Sequence, residues 1–210
     1  MNNYPDFVTY KLLTTLQFIV PVIFTRHIDQ ANVLRLIYPS TDIQLPIRPD
    51  GKKSPRLQFL DTGLLNYNLQ NQGELMSLTD LNEACRGAVV PHLVMQEIIS
   101  LNTYSDQKPN FWVREKKQSS AEVDLILPYK DKIIPVEIKS GKVGKLRSLH
   151  QFVRLSQHPY VVRLFAGEFS IEQHNAPDGR PFLLMNLPYY LTTQLMDYIE
   201  YFLINGHRLT

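Results

Sequence analysis

The sharpest pattern of apolar and polar positions lies in residues 121–140, AEVDLILPYKDKIIPVEIKS. Side chains of a strand alternate between its two faces, and a two-residue turn at Lys130-Asp131 predicts a hairpin. Tyr129 then faces Lys132, Leu127 faces Ile134, Leu125 faces Val136 and Asp124 faces Glu137. One face of this hairpin carries Val123, Leu125, Leu127, Ile134, Val136 and Ile138, an apolar surface expected to bury against helices, among them the one bearing Leu149 and Phe152. The other face carries Glu122, Asp124, Ile126, Pro135, Glu137 and Lys139.

Around the hairpin the same reading predicts further strands at 33–38, 56–60, 111–116, 161–169 and 181–187. The Pro- and charge-rich stretch 39–55 reads as a long hairpin loop or wing. Asp61 and Thr62 can cap a short helix through Leu69, and Thr79 and Asp80 another. Pro91 suits the first turn of a helix over about 91–100, with Leu93, Val94 and Ile98 towards the core. Amphipathic helices are expected over about 146–156 and 191–204, and NAPDGRP at 175–181 reads as a turn. Strands and helices are thus mixed, which predicts an α/β fold with a mixed sheet.

Composition narrows the classes. The chain has 210 residues, 44% hydrophobic and 20% charged, an ordinary globular balance. The single cysteine, Cys85, excludes an intramolecular disulfide and a cysteine-based zinc site. The most apolar stretch, Leu12–Phe24, is shorter than the ~20 residues of a membrane helix and is interrupted by Pro21. A buried helix or strand and a cytoplasmic protein are expected, with no membrane partner. The net charge of +2 implies no partner by itself, but its distribution is uneven. From Ile138 to Gly167 there is no carboxylate, whereas Lys139, Lys142, Lys145, Arg147, Arg154 and Arg163 fall there. Gly141 and Gly144 would let this loop approach a phosphate backbone. Lys142, Lys145 and Arg147 are therefore candidate nucleic-acid contacts, although a solvated basic face would look the same.

The polar end of the hairpin offers chemistry. Two carboxylates on adjacent strands can share one divalent cation, and oxygen ligands suit Mg²⁺ or Mn²⁺. A lysine beside them can assist proton transfer or stabilise charge on a phosphate oxygen. Facing carboxylates also repel, so one should titrate above its ordinary range without metal. A half-exposed hairpin gives the same alternation with no site at all, but would avoid opposing Asp124 with Glu137.

Asp124, Glu137 and Lys139, spaced D-x₁₂-E-x-K at the ends of consecutive strands, resemble the signature of the PD-(D/E)XK nuclease superfamily. RLQFLDTGLLNY, FWVREKKQSSAEVDLIL, IPVEIKSG, RSLHQFV and LPYYL together resemble the C-terminal domain of a large prokaryotic family of AAA-type ATPases, over about 57–205. The resemblance implies a restriction-endonuclease-like mixed sheet flanked by helices, spanning 57–210. Residues 1–56 would be the remnant of a connector or winged-helix-like region. It implies a metal-dependent DNA phosphodiesterase in which Asp124 and Glu137 hold Mg²⁺ or Mn²⁺ and Lys139 assists catalysis. It also implies an ATPase partner, since no GxxxxGK[ST] loop is present. Gln151 stands where some such nucleases place a helper glutamine. Many relatives carry an acid at the position of Pro91; here Glu97 is the available substitute. That departure keeps open an alternative, a catalytically inactive module of the same fold that binds DNA or a protein partner.

Overall fold

The computed structural model describes residues 34–68, 89–101, 108–115, 121–141 and 146–206. The apolar stretch Leu12–Phe24, the helix expected after Thr79, Cys85, Lys142 and Lys145 lie outside the described residues. Strands β1 (Leu34–Ile37) and β3 (Arg56–Phe59) pair antiparallel, Leu34 opposite Phe59. Between them, β2 (Pro39–Ser40) leaves the hairpin and pairs in parallel with β4 (Asn110–Val113). The Asn110 amide donates to Tyr38 O and the Trp112 indole to Thr41 O, fastening this segment to β4. Part of the expected wing is therefore an edge strand of the main sheet.

Among the described residues that sheet has seven strands in the order β2-β4-β5-β6-β7-β9-β8, where β5 is Glu122–Tyr129, β6 Lys132–Ile138, β7 Tyr160–Phe165, β8 Ser170–Asn175 and β9 Pro181–Pro188. The β6–β7 and β7–β9 pairs are parallel, the β4–β5, β5–β6 and β8–β9 pairs antiparallel. The fold is thus α/β with a mixed sheet. The β5–β6 hairpin has the register expected from alternation, with Leu125 opposite Val136, Leu127 opposite Ile134 and Tyr129 opposite Lys132. Its turn places Lys130 at φ 52, a left-handed conformation without glycine.

Among the described residues four α-helices flank the sheet: α1 (Thr62–Asn68), α2 (Val89–Leu101), α3 (Arg147–Leu155) and α4 (Leu195–Asn205). Asp61 Oδ1 accepts from the amides of Gly63 and Leu64 and so caps α1. The helix expected over 191–204 begins as a 3₁₀ segment, Tyr189–Gln194, before α4. On one face of the sheet, Leu125, Leu127, Ile134, Val136 and Ile138 bury against Val90, Val94, Met95 and Ile98 of α2 and Leu195, Ile199 and Phe202 of α4. On the other, Ile126, Ile133, Val161, Phe182 and Leu184 bury against Leu149, Phe152 and Val153 of α3. Fully burying one such side chain contributes about 1.5–3 kcal/mol.

Several expectations need correction. Val123 does not share a face with Leu125; it packs in the α3 cluster with Trp112 and Phe152. A register shift between β4 and β5 explains this, since β5 spends one residue more than β4 between the pairs Trp112–Val123 and Asn110–Ile126. The helix bearing Leu149 and Phe152 does not cover the Leu125–Val136 face as expected; it packs on the opposite face, to which Ile126 and Ile133 turn by plain strand alternation. Leu93 is exposed, because Val90, Val94 and Ile98, spaced four apart, take the core-facing stripe of α2. Strand β8, SIEQHN, went unpredicted because it has almost no apolar residues.

Candidate active site

The candidate site forms where β5 and β6 part. The last residues paired between them are Leu125 and Val136; Asp124 and Glu137 come one step further on. The Lys139 amide donates to Leu164 O of β7, so the preceding amide, that of Ile138, points towards β5. There it meets a carboxylate: Asp124 Oδ2 accepts from Ile138 N at 2.9 Å. Asp124 and Glu137 are therefore neighbours across the end of the hairpin, as the spacing predicts.

Glu137 is the buried member, 5% exposed. Its Oε1 accepts from Lys139 Nζ at 2.5 Å, whereas its Oε2 is buried without a hydrogen-bond partner among the described residues. Burial, reinforced by the Asp124 charge, pushes the Glu137 carboxyl up to about 7, against the opposing pull of Lys139 and Arg56. The direction is the one expected of a facing pair, but burial and not repulsion is its larger cause. Lys139 alternates with Glu137 on the same strand face, so one short E-x-K segment delivers both charges.

The sequence did not point to Arg56. From β3 its guanidinium reaches 68 positions along the chain and donates through one terminal nitrogen to the Asp124 carbonyl at 3.4 Å. The same nitrogen lies 3.6 Å from Asp124 Oδ1, and the other pairs with Glu122. The Phe111 ring lies beneath it, 4.3 Å from ring centre to guanidinium carbon. Burial moves Arg56 below its ordinary range, while Asp124 and Glu137 hold it up. Only its place at the head of RLQFLDTGLLNY marked it in the sequence; nothing there reveals its partner.

The remaining candidates are more scattered. Glu97 is exposed on α2, and its backbone carbonyl accepts from the Ser100 hydroxyl. Its carboxylate makes no hydrogen bond or ion pair with Asp124, Glu137 or Lys139. Arg147 is exposed at the start of α3 and Gln151 is half-buried one turn later. Among the described residues, no group of three or more His, Cys, Asp or Glu side chains is placed to hold a metal ion. The sheet offers Asp124 and Glu137 as a two-carboxylate set, and the unpartnered Oε2 of Glu137 fits a cation ligand.

A second polar cluster, also missed, lies further along the sheet. Glu137 pairs in register with Arg163, Arg163 with Asn186, and Asn186 with Ser170, a row across four strands. Arg163 Nε donates to Asn186 Oδ1 at 2.8 Å; Asn186 Nδ2 donates to Ser170 Oγ at 2.8 Å and Glu172 Oε1 at 2.6 Å. The Ser170 hydroxyl and the His174 ring bond the Glu172 carboxylate as well. The one signal for this cluster was Asn186, polar within an otherwise apolar strand.

A family model described as a domain of unknown function, DUF4143, matches residues 86–183, just under half the chain. The match includes Asp124, Glu137 and Lys139 and excludes Arg56 and Asn186. Comparison with curated proteins and with solved structures finds no match. Among the described residues, no helix is long and apolar enough to cross a membrane.

Proposed function

We propose that this chain is a metal-dependent DNA phosphodiesterase domain of the restriction-endonuclease-like, PD-(D/E)XK type, working in the cytoplasm with an AAA-type ATPase supplied by another module or subunit. The observation that carries the reading is the Glu137 carboxylate, buried with one oxygen held by Lys139 and the other without a partner among the described residues, in a group that feels the Asp124 charge. A buried polar atom left unsatisfied costs about 1–3 kcal/mol, and a bound ion or a catalytic role is among the reasons for keeping one. The mixed sheet flanked by helices, with these residues at its centre, supports the fold assignment.

In this reading Asp124 and Glu137 hold Mg²⁺ or Mn²⁺. When bound, the cation supplies Lewis acidity towards a phosphoryl oxygen. Lys139, fixed by Glu137, stands ready to donate a hydrogen bond or a proton at a phosphate oxygen or an attacking water. Burial of Glu137 keeps bulk water from one side of the pair. Arg147 and Gln151, with Lys142 and Lys145 just before them in the sequence, would meet the DNA backbone. Glu97 would serve as a third acid only if α2 turned it towards the pair.

A specific observation favours the second reading, an inactive module of the same fold that binds DNA or a protein partner. Arg56 already compensates Asp124, and Pro91 stands where many relatives of the resembling family carry an acid. Plasmid nicking with Mn²⁺, compared between the wild type and Asp124→Asn, separates the two. Nicking lost in Asp124→Asn supports the phosphodiesterase. Mn²⁺ binding without nicking leaves the binding module.

A further inference from the structure

Arg56 has an unusual set of partners for a residue outside the hairpin. Its guanidinium is held from below by the Phe111 ring, on one side by Glu122 and on the other by both the carbonyl and the carboxylate of Asp124. The second carboxylate oxygen of Asp124 is committed to the Ile138 amide. The first, Oδ1, is the less engaged oxygen and the readier one for a cation, and Arg56 stands 3.6 Å from it. We infer that Arg56 is an internal stand-in for the metal: it compensates Asp124 in the metal-free protein, withdraws when a divalent cation binds, and so ties metal occupancy to the position of the β1–β3 hairpin. This rests on the reading of Asp124 and Glu137 as metal ligands.

Charge supports exchange over coexistence. Glu122, Asp124 and Glu137 are three carboxylates, and Arg56 and Lys139 are two cations. A divalent ion that replaces Arg56 balances the carboxylates together with Lys139. One added beside Arg56 would put two positive centres against the same oxygen, and like charges at such separations repel strongly where water is partly excluded. The long 3.6 Å approach of Arg56 to Oδ1 is that of a contact able to give way. Among the described residues its strand pairs only with β1 and stands outside the seven-stranded sheet, so withdrawal would not break the central ladder.

The test is Mn²⁺ binding by calorimetry to the full chain, with Arg56→Gln, Arg56→Lys and the wild type compared. Arg56→Gln should bind Mn²⁺ about tenfold more tightly, a change of one decade in Kd. Arg56→Lys, which keeps the charge and loses the fork, should fall between the two. A second measurement follows the hairpin: Mn²⁺ should speed proteolysis of the 41–55 loop in the wild type, while Arg56→Gln should be cut quickly with or without it. Arg56→Lys and the proteolysis of wild type keep the inference testable if Arg56→Gln folds poorly. Equal or weaker Mn²⁺ binding by Arg56→Gln, with binding in the wild type, overturns the stand-in role and leaves the metal site standing. No binding in any variant removes both.

Discussion

Two polar clusters lie on the same sheet, and they differ in how completely they are satisfied. Around Asn186 the side chains bond one another: Arg163 donates to Asn186, Asn186 to Ser170 and Glu172, and His174 and Ser170 close on Glu172. Such a closed network fixes strand positions and needs nothing from outside. Around Glu137, Lys139 takes one oxygen and the other is left buried without a partner among the described residues. The comparison teaches where to look for a ligand. Glu137 and Arg163 are register partners on adjacent strands, so the change from a closed network to an open one happens within a single strand spacing.

The pH dependence should give the largest effect. The Glu137 carboxyl lies at about 7 in the folded chain against an ordinary 4.5. The folded state therefore binds more protons than the unfolded state between those values, and stability falls as pH rises from about 4.5 to about 7, levelling off above. The full difference is roughly 3 kcal/mol in the metal-free protein. Urea midpoints across this range should show it, and Glu137→Gln should flatten it. The network around Asn186 should contribute little to that slope.

Breaking the closed cluster comes next. Asn186 is 1% exposed, so Asn186→Leu should strand the Arg163 Nε and one side of Glu172, costing about 2 kcal/mol. Denaturation should reveal the loss, with Mn²⁺ binding unchanged. An equal loss of Mn²⁺ binding would mean that the two clusters act as one site.

Asp124→Asn is smaller in stability. The side-chain oxygen of asparagine can still accept from Ile138, but its pairing with Arg56 is lost. That pair is partly exposed, so the expected cost is about 1 kcal/mol in the absence of metal. The same change removes a charge that raises Glu137 and should move the pH window downwards. Arg147→Ala should be nearly silent in stability, within about 0.5 kcal/mol. On DNA it should lower the salt dependence by about one counterion; an unchanged salt slope would remove Arg147 from the interface.

The hairpin was legible because its alternation and its two-residue turn are local properties. They yield the register down to Leu125 opposite Val136 and bring Asp124, Glu137 and Lys139 together. The apolar stripe of α2 was legible in part, with Val94 and Ile98 buried as periodicity suggests and Leu93 turned outwards. What failed depends on partners distant in sequence. The bulge that sends Val123 to the α3 face is set by pairing with β4, and no residue in β5 announces it. β8 carries polar residues because its apolar support comes from β9 beside it, so it has no hydrophobic rhythm of its own. Arg56 was invisible because its meaning lies in Asp124 and Glu122, contacts made only after β3 and β5 meet.

The central claim is that the open cluster is a divalent-cation site built on Asp124 and Glu137. Its most direct test is the melting temperature of wild type and Asp124→Asn, titrated with Mn²⁺ at pH 8, where Glu137 is mostly ionised in the fold. A cation that binds only the folded state stabilises it by about 2.7 kcal/mol at a hundred times its Kd. The account predicts a saturable rise in Tm for the wild type and none for Asp124→Asn. A wild type that does not respond, or an Asp124→Asn that responds equally, would contradict it.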